Sequence, residues 1–173
     1  MDLNPVGSLT NMLVSVRGAR DRKLTAVLKQ ATHFMSELLF SRQLRPNLSF
    51  YIRIHKKLEY NGLCGPLELV RPREFEIDIL RQNRLSMIST LAHELIHAKQ
   101  YAYGEMCERY IKKRMVTLWH GTDPGKLDYW DQPWEIEAYG LEPGLVAKFI
   151  NRHRLYAYFN TPKRFWEEVY NES

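Results

Sequence analysis

The chain has 173 residues, of which 45 % are hydrophobic and 26 % charged; this is globular composition, long enough for a sizeable core, and it excludes a disordered chain. No apolar run reaches membrane-span length and the N-terminus lacks a compact apolar h-region, so a soluble protein without a secretion signal is expected, with no membrane partner. The net charge of +5 is densest in the first sixty residues, from Arg17 to Lys57, and reads either as solvated surface or as a nucleic-acid footprint.

Residues 1–20 read as a loose N-terminus. Leu24, Val27, Leu28, Ala31, Met35, Leu38 and Leu39 then recur at helical spacing over 21–40, and Arg45-Pro46 ends that segment. The period changes at LSFYIRIH (48–55), where Leu48, Phe50, Ile52 and Ile54 share one face of a strand. Asn61-Gly62 predicts a turn, LCGPLELV (63–70) a returning strand, and REFEIDIL (73–80) a third strand with Phe75, Ile77 and Ile79 inward. Three successive strands with short connections predict a small sheet, mixed or largely antiparallel.

Helical spacing resumes from Leu85 through Met87, Ile88, Leu91, Leu95 and Ala98, with Gly104 as the stop. Residues 105–118 read as a further helix, and GTDPGKLDYWDQP (121–133) as a loop anchored by Tyr129 and Trp130. Pro133 suits the first turn of a new helix, PWEIEAY, which Gly140 and Pro143-Gly144 break or bend. LVAKFINRH continues helically and PKRFWEEVY closes the chain. The whole is expected to be one α+β domain over residues 1–173. Cys64, in strand-like sequence, and Cys107, in the helix expected at 105–118, form no CxxC; both are expected as buried thiols in a reducing compartment such as the cytoplasm.

Chemistry concentrates in Thr90-Leu91-Ala92-His93-Glu94-Leu95-Ile96-His97. His93 and His97 lie one helical turn apart, so both imidazoles reach a single metal ion, zinc being the expected one. Glu94 projects beside them, where a carboxylate can take a proton from a metal-activated water. Two histidines leave zinc short of a protein ligand. Glu135, Glu137 and His120 are the candidates for the third place. Glu135 and Glu137 are two residues apart on a helix and point to nearly opposite sides, so only one of them can aim at a given ion.

HELIHAKQ followed by a downstream helix with ExEA resembles the zincin metallopeptidases of the glutamate-ligand branch. That resemblance implies His93, His97 and Glu135 as zinc ligands, Glu94 as general base, and peptide-bond hydrolysis in a protein or peptide substrate. Such zincins often carry an acid or amide four positions after the glutamate ligand, steering a zinc histidine; here that position is Tyr139, a departure that still offers a hydroxyl. Tyr129, His120 and Tyr139 are candidate donors to an oxyanion. Over residues 60–100 the chain is also similar to SprT-like metallopeptidases of bacteria and phages. This similarity implies DNA association through the basic N-terminal region and, for a phage-encoded chain, the host cytoplasm. SprT-like proteins use a third histidine nearer the motif than His120 lies. A zinc-stabilised, non-catalytic binding or scaffold protein is the remaining alternative.

Overall fold

Alternating apolar residues build a central sheet. In the computed structural model, which describes residues 12–162, four strands pack side by side: β1 (Leu13–Arg17), β2 (Ser49–His55), β3 (Gly62–Pro66) and β4 (Glu74–Leu80). Their order is β1-β2-β4-β3. Phe50, Ile52, Phe75, Ile77 and Ile79 fill the inner face, sealed from solvent. On the outer face Arg53 donates to Asp78 at 2.9 Å and to Glu76 at 2.7 Å.

The sheet is mixed: β1 and β4 both run parallel to β2, and only β3 is antiparallel, against β4. The expectation of a largely antiparallel sheet fails because β3 reverses the chain once, letting β4 re-enter between β2 and β3 in the direction of β2. β3 is also shorter than LCGPLELV suggests: Leu67 still donates its amide to the Glu74 carbonyl at 2.9 Å, and residues 68–70 then leave as an exposed loop. β1 lies in the stretch expected to be loose; its only buried residue is Val14, too little for a periodic signal.

Two helices cover the inner face. α1 (Arg22–Leu39) starts at Asp21, whose side chain accepts from the Leu24 amide at 2.7 Å, and it links parallel strands β1 and β2 as a crossover. α2 (Arg84–Tyr103) is capped by Asn83 and ends at Gly104, which adopts the left-handed conformation with φ of 72°. Leu91, Leu95 and Ala98 anchor α2 in the core that the sheet and helices share.

Residues 105–118 do not form the expected helix. They make a hairpin, β5 (Met106–Ile111) and β6 (Arg114–Trp119), with Cys107 half-buried in β5. Val116 and Leu118 alternate inward, but the turn is Lys112-Lys113, both at positive φ, in place of the Asn-Gly that would announce a hairpin. α3 (Pro133–His153) likewise departs from expectation by running through Gly140, Pro143 and Gly144 without interruption. An interior proline costs a helix about 3 kcal/mol. Beyond it Leu145, Val146, Phe149 and Ile150 are buried, each worth about 1.5–3 kcal/mol, so packing wins. A short α4 (Tyr156–Phe159) follows; all but the first residue of PKRFWEEVY, and residues 1–11, lie outside the described residues. Among the described residues no helix is long and apolar enough to cross a membrane.

Candidate metal centre

α2 is buried on most sides, yet His93, Glu94 and His97 sit within it at 5 % to 8 % exposure. Polar groups are costly there unless they have partners. α3 crosses α2 and its first turn delivers Glu135, itself 8 % exposed. His93 Nε2 lies 3.1 Å from Glu135 Oε2 and 3.1 Å from His97 Nε2, and His97 Nε2 lies 3.5 Å from Glu135 Oε1. Tetrahedral zinc with bonds near 2.05 Å separates neighbouring ligand atoms by about 3.3 Å. The three groups therefore fit a zinc ion in both donor type and spacing, and they form the one group of potential ligands among the described residues.

The outer hydrogen bonds settle which ring nitrogens face inward. Gln100, fully buried, donates through Nε2 to the Trp134 carbonyl at 2.9 Å and to Glu137 Oε2 at 2.8 Å. Both partners only accept, so Gln100 Oε1 is left to accept from His97 Nδ1 at 2.8 Å. On His93 the Nδ1 faces Glu142 Oε2 at 3.3 Å. Each ring thus has an acceptor behind Nδ1 and presents Nε2 to Glu135. Tyr129 completes the set by donating its hydroxyl to Glu135 Oε2 at 2.8 Å.

Such a convergence of acceptors attracts positive charge. Burial alone would lower the His93 pKa, but hydrogen bonds to Glu135 and Glu142, together with the Glu94 and Glu135 charges, hold it up at about 9. Burial also works against ionised Glu135, yet its bonds to His93, His97 and Tyr129 take it down to about 2. Glu94 accepts no such bonds: burial pushes it up to about 7, against the pull of His97 and His93. The two carboxylates are thus shifted in opposite directions, Glu135 toward the charged form and Glu94 toward the protonated one.

Close approach on the other side of Glu94 depends on Gly62. A β-carbon there would fall 2.4 Å from Thr90 Cγ2 and 2.5 Å from Glu94 Oε1, so only glycine lets β3 pass this near the carboxylate. The site opens into a cleft of about 1150 Å³ whose walls include residues 59–64 of the β2–β3 connection and β3, the hairpin's Met106 and Glu108, and Tyr129, Trp134 and Glu142. β3 is an edge strand, with no strand paired on its outer side among the described residues.

Of the three candidates for the third place, Glu135 alone joins the histidines. Glu137 turns to Lys99, at 2.9 Å, and to Gln100. His120 stands exposed just after β6, its ring against Trp119 at 4.7 Å. Tyr139 packs its ring against His93 at 4.6 Å, while its hydroxyl lies 3.4 Å from that of Tyr129. The carboxylate behind His93 is Glu142, seven residues after Glu135, which sequence reasoning missed by breaking the helix before it. Gln100 was missed too, although its place three residues after His97 on α2 sets it beside that ring. No family model, curated protein or solved structure matches this chain.

Proposed function

We propose that the chain is a zinc-dependent metallopeptidase of the zincin type, hydrolysing peptide bonds in protein or peptide substrates. The observation that carries this reading is the convergence of His93 Nε2, His97 Nε2 and the Glu135 carboxylate at zinc-ligand spacing, with Glu94 beside them at the floor of an open cleft. Bound zinc would supply Lewis acidity toward the scissile carbonyl and the attacking water. Glu94, beside the ligand triad on the cleft, would take a proton from the attacking water and return it to the leaving amine. Glu142 and Gln100 hold the two rings, and Tyr129 holds Glu135. The unpaired edge of β3 would receive the substrate as an added strand, through main-chain hydrogen bonds that ask little of its side chains.

The DNA-associated version has weaker support. Of the basic residues behind it, Arg53 is already engaged by Asp78 and Glu76, and Arg45 lies 3.7 Å from Glu37. The catalytic and scaffold readings separate on Glu94→Gln. In the zinc-loaded full chain this substitution is expected to retain zinc by metal analysis. Hydrolysis of a quenched-fluorescent unfolded protein should fall by at least about a hundredfold. Wild-type zinc-loaded chain that cuts nothing, or a variant that cuts as well as wild type, overturns the proposal.

A further inference from the structure

The protein is basic, but its cleft is not. An even spread of the chain's 25 lysines and arginines over 173 residues would place about three among the 24 described residues lining the cleft; there are none. The same lining holds five glutamates: Glu59, Glu94, Glu108, Glu135 and Glu142. Glu94, Glu135 and Glu142 belong to the site already described. Glu59 and Glu108 do not. They stand exposed on separate walls, Glu59 on the β2–β3 connection and Glu108 on β5.

Three basic residues that neighbour the cleft in sequence are engaged elsewhere. Arg81 donates to the Gly18 carbonyl at 2.6 Å, and Arg84 lies over the Tyr158 ring at 4.4 Å. Lys99 is held between Glu105 and Glu137. Lys56 and Lys57, which open the connection ending at Glu59, lie outside the lining. A divalent ion on the site offsets two of the five carboxylate charges and leaves the cleft negative. Walls of one sign concentrate ligands of the opposite sign and repel the rest.

We infer that the cleft selects cationic polypeptide, with lysine or arginine side chains on either side of the bond presented to Glu94 and paired with Glu59 and Glu108. This rests on the metallopeptidase reading and gives it a substrate class. It also makes a polyanion an unfavourable occupant of the cleft itself.

Two quenched-fluorescent peptides of equal length test it, alike except that the flanking residues are arginine in one and glutamate in the other. With the zinc-loaded full chain in low salt, kcat/KM for the arginine peptide is expected to exceed that for the glutamate peptide by about tenfold or more. The ratio should shrink with added salt. It should also shrink in Glu59→Gln/Glu108→Gln, mostly through KM, and circular dichroism of that variant checks its fold. Binding of the same peptides to zinc-loaded Glu94→Gln, followed by fluorescence anisotropy, separates the two layers of argument. Arginine-selective binding with no cleavage by wild type sinks the hydrolase reading and leaves the charge selection standing. Equal or glutamate-favouring binding or cleavage, or a ratio untouched by the double substitution, overturns the inference.

Discussion

Two faces of the first turn of α3 carry one glutamate each, Glu135 toward His93 and His97 and Glu137 toward Lys99 and Gln100. The chemical groups are identical and the backbone positions are two residues apart. What differs is the company. Glu135 meets two imidazole nitrogens at a spacing that also suits a metal ion, so it closes a candidate metal centre. Glu137 meets a lysine and an amide that already carry protons, so it is satisfied without any ion. Through Gln100, however, Glu137 still acts on the site, because it helps fix the amide whose oxygen faces His97 Nδ1. The same residue type thus stands as candidate ligand on one face and as support on the other.

Replacing the two acids in turn is the sharpest test of that contrast. Glu135→Ala should weaken zinc binding by about a thousandfold, measured by competition with a chromogenic chelator. An equal loss from Glu137→Ala would break the comparison. The pH dependence of affinity gives the next effect. In chelator-treated wild type a proton on His93 opposes zinc below its pKa of about 9, so apparent affinity should rise about tenfold per pH unit from just above neutrality up to that point and then flatten. Glu135, held at about 2, stays ionised throughout and adds no slope over that range. Glu137→Gln should leave the break where it is; a break that moved with Glu137 would blur the distinction.

The smallest effect belongs to the support itself. Gln100→Ala frees the His97 ring from its acceptor and is expected to cost about 10- to 100-fold in zinc affinity. A ¹⁵N spectrum of the imidazoles should show the His97 Nδ1–H tautomer in wild type and a mixture in the variant. An unchanged tautomer would remove Gln100 from the support.

Legibility followed the kind of signal each region carries. β2 and β4 alternate cleanly because one face is core and the other solvated, and Phe75, Ile77 and Ile79 were placed inward by pattern alone. α2 was equally plain, from Met87 to its Gly104 stop. The hairpin at 106–119 was not. Its turn is two lysines in the left-handed region, residues that rarely adopt it, and only pairing of Met106 with Trp119 and of the residues between them compensates. α3 misled for the opposite reason: Gly140, Pro143 and Gly144 are genuine local breakers, overruled by the burial of Phe149 and Ile150. That misreading hid Glu142, because a residue two turns along a helix is placed on its face only if the helix is known to continue.

The amino-acid order by itself determined that His93, Glu94 and His97 share a helix, since a one-turn spacing is a local property. It also determined that Glu135 and Glu137 could not both face them. It did not determine which one would. That choice depends on the crossing of α3 over α2, on Ala138 being small and fully buried in the core between these elements, and on Lys99 and Gln100 waiting on the side that Glu137 faces. Tertiary packing also supplied Glu142 behind His93, Gly62 against Glu94 and the acidic walls of the cleft. All of these join residues far apart in the chain, and the distance between them is set by the shared core rather than by any spacing along the backbone.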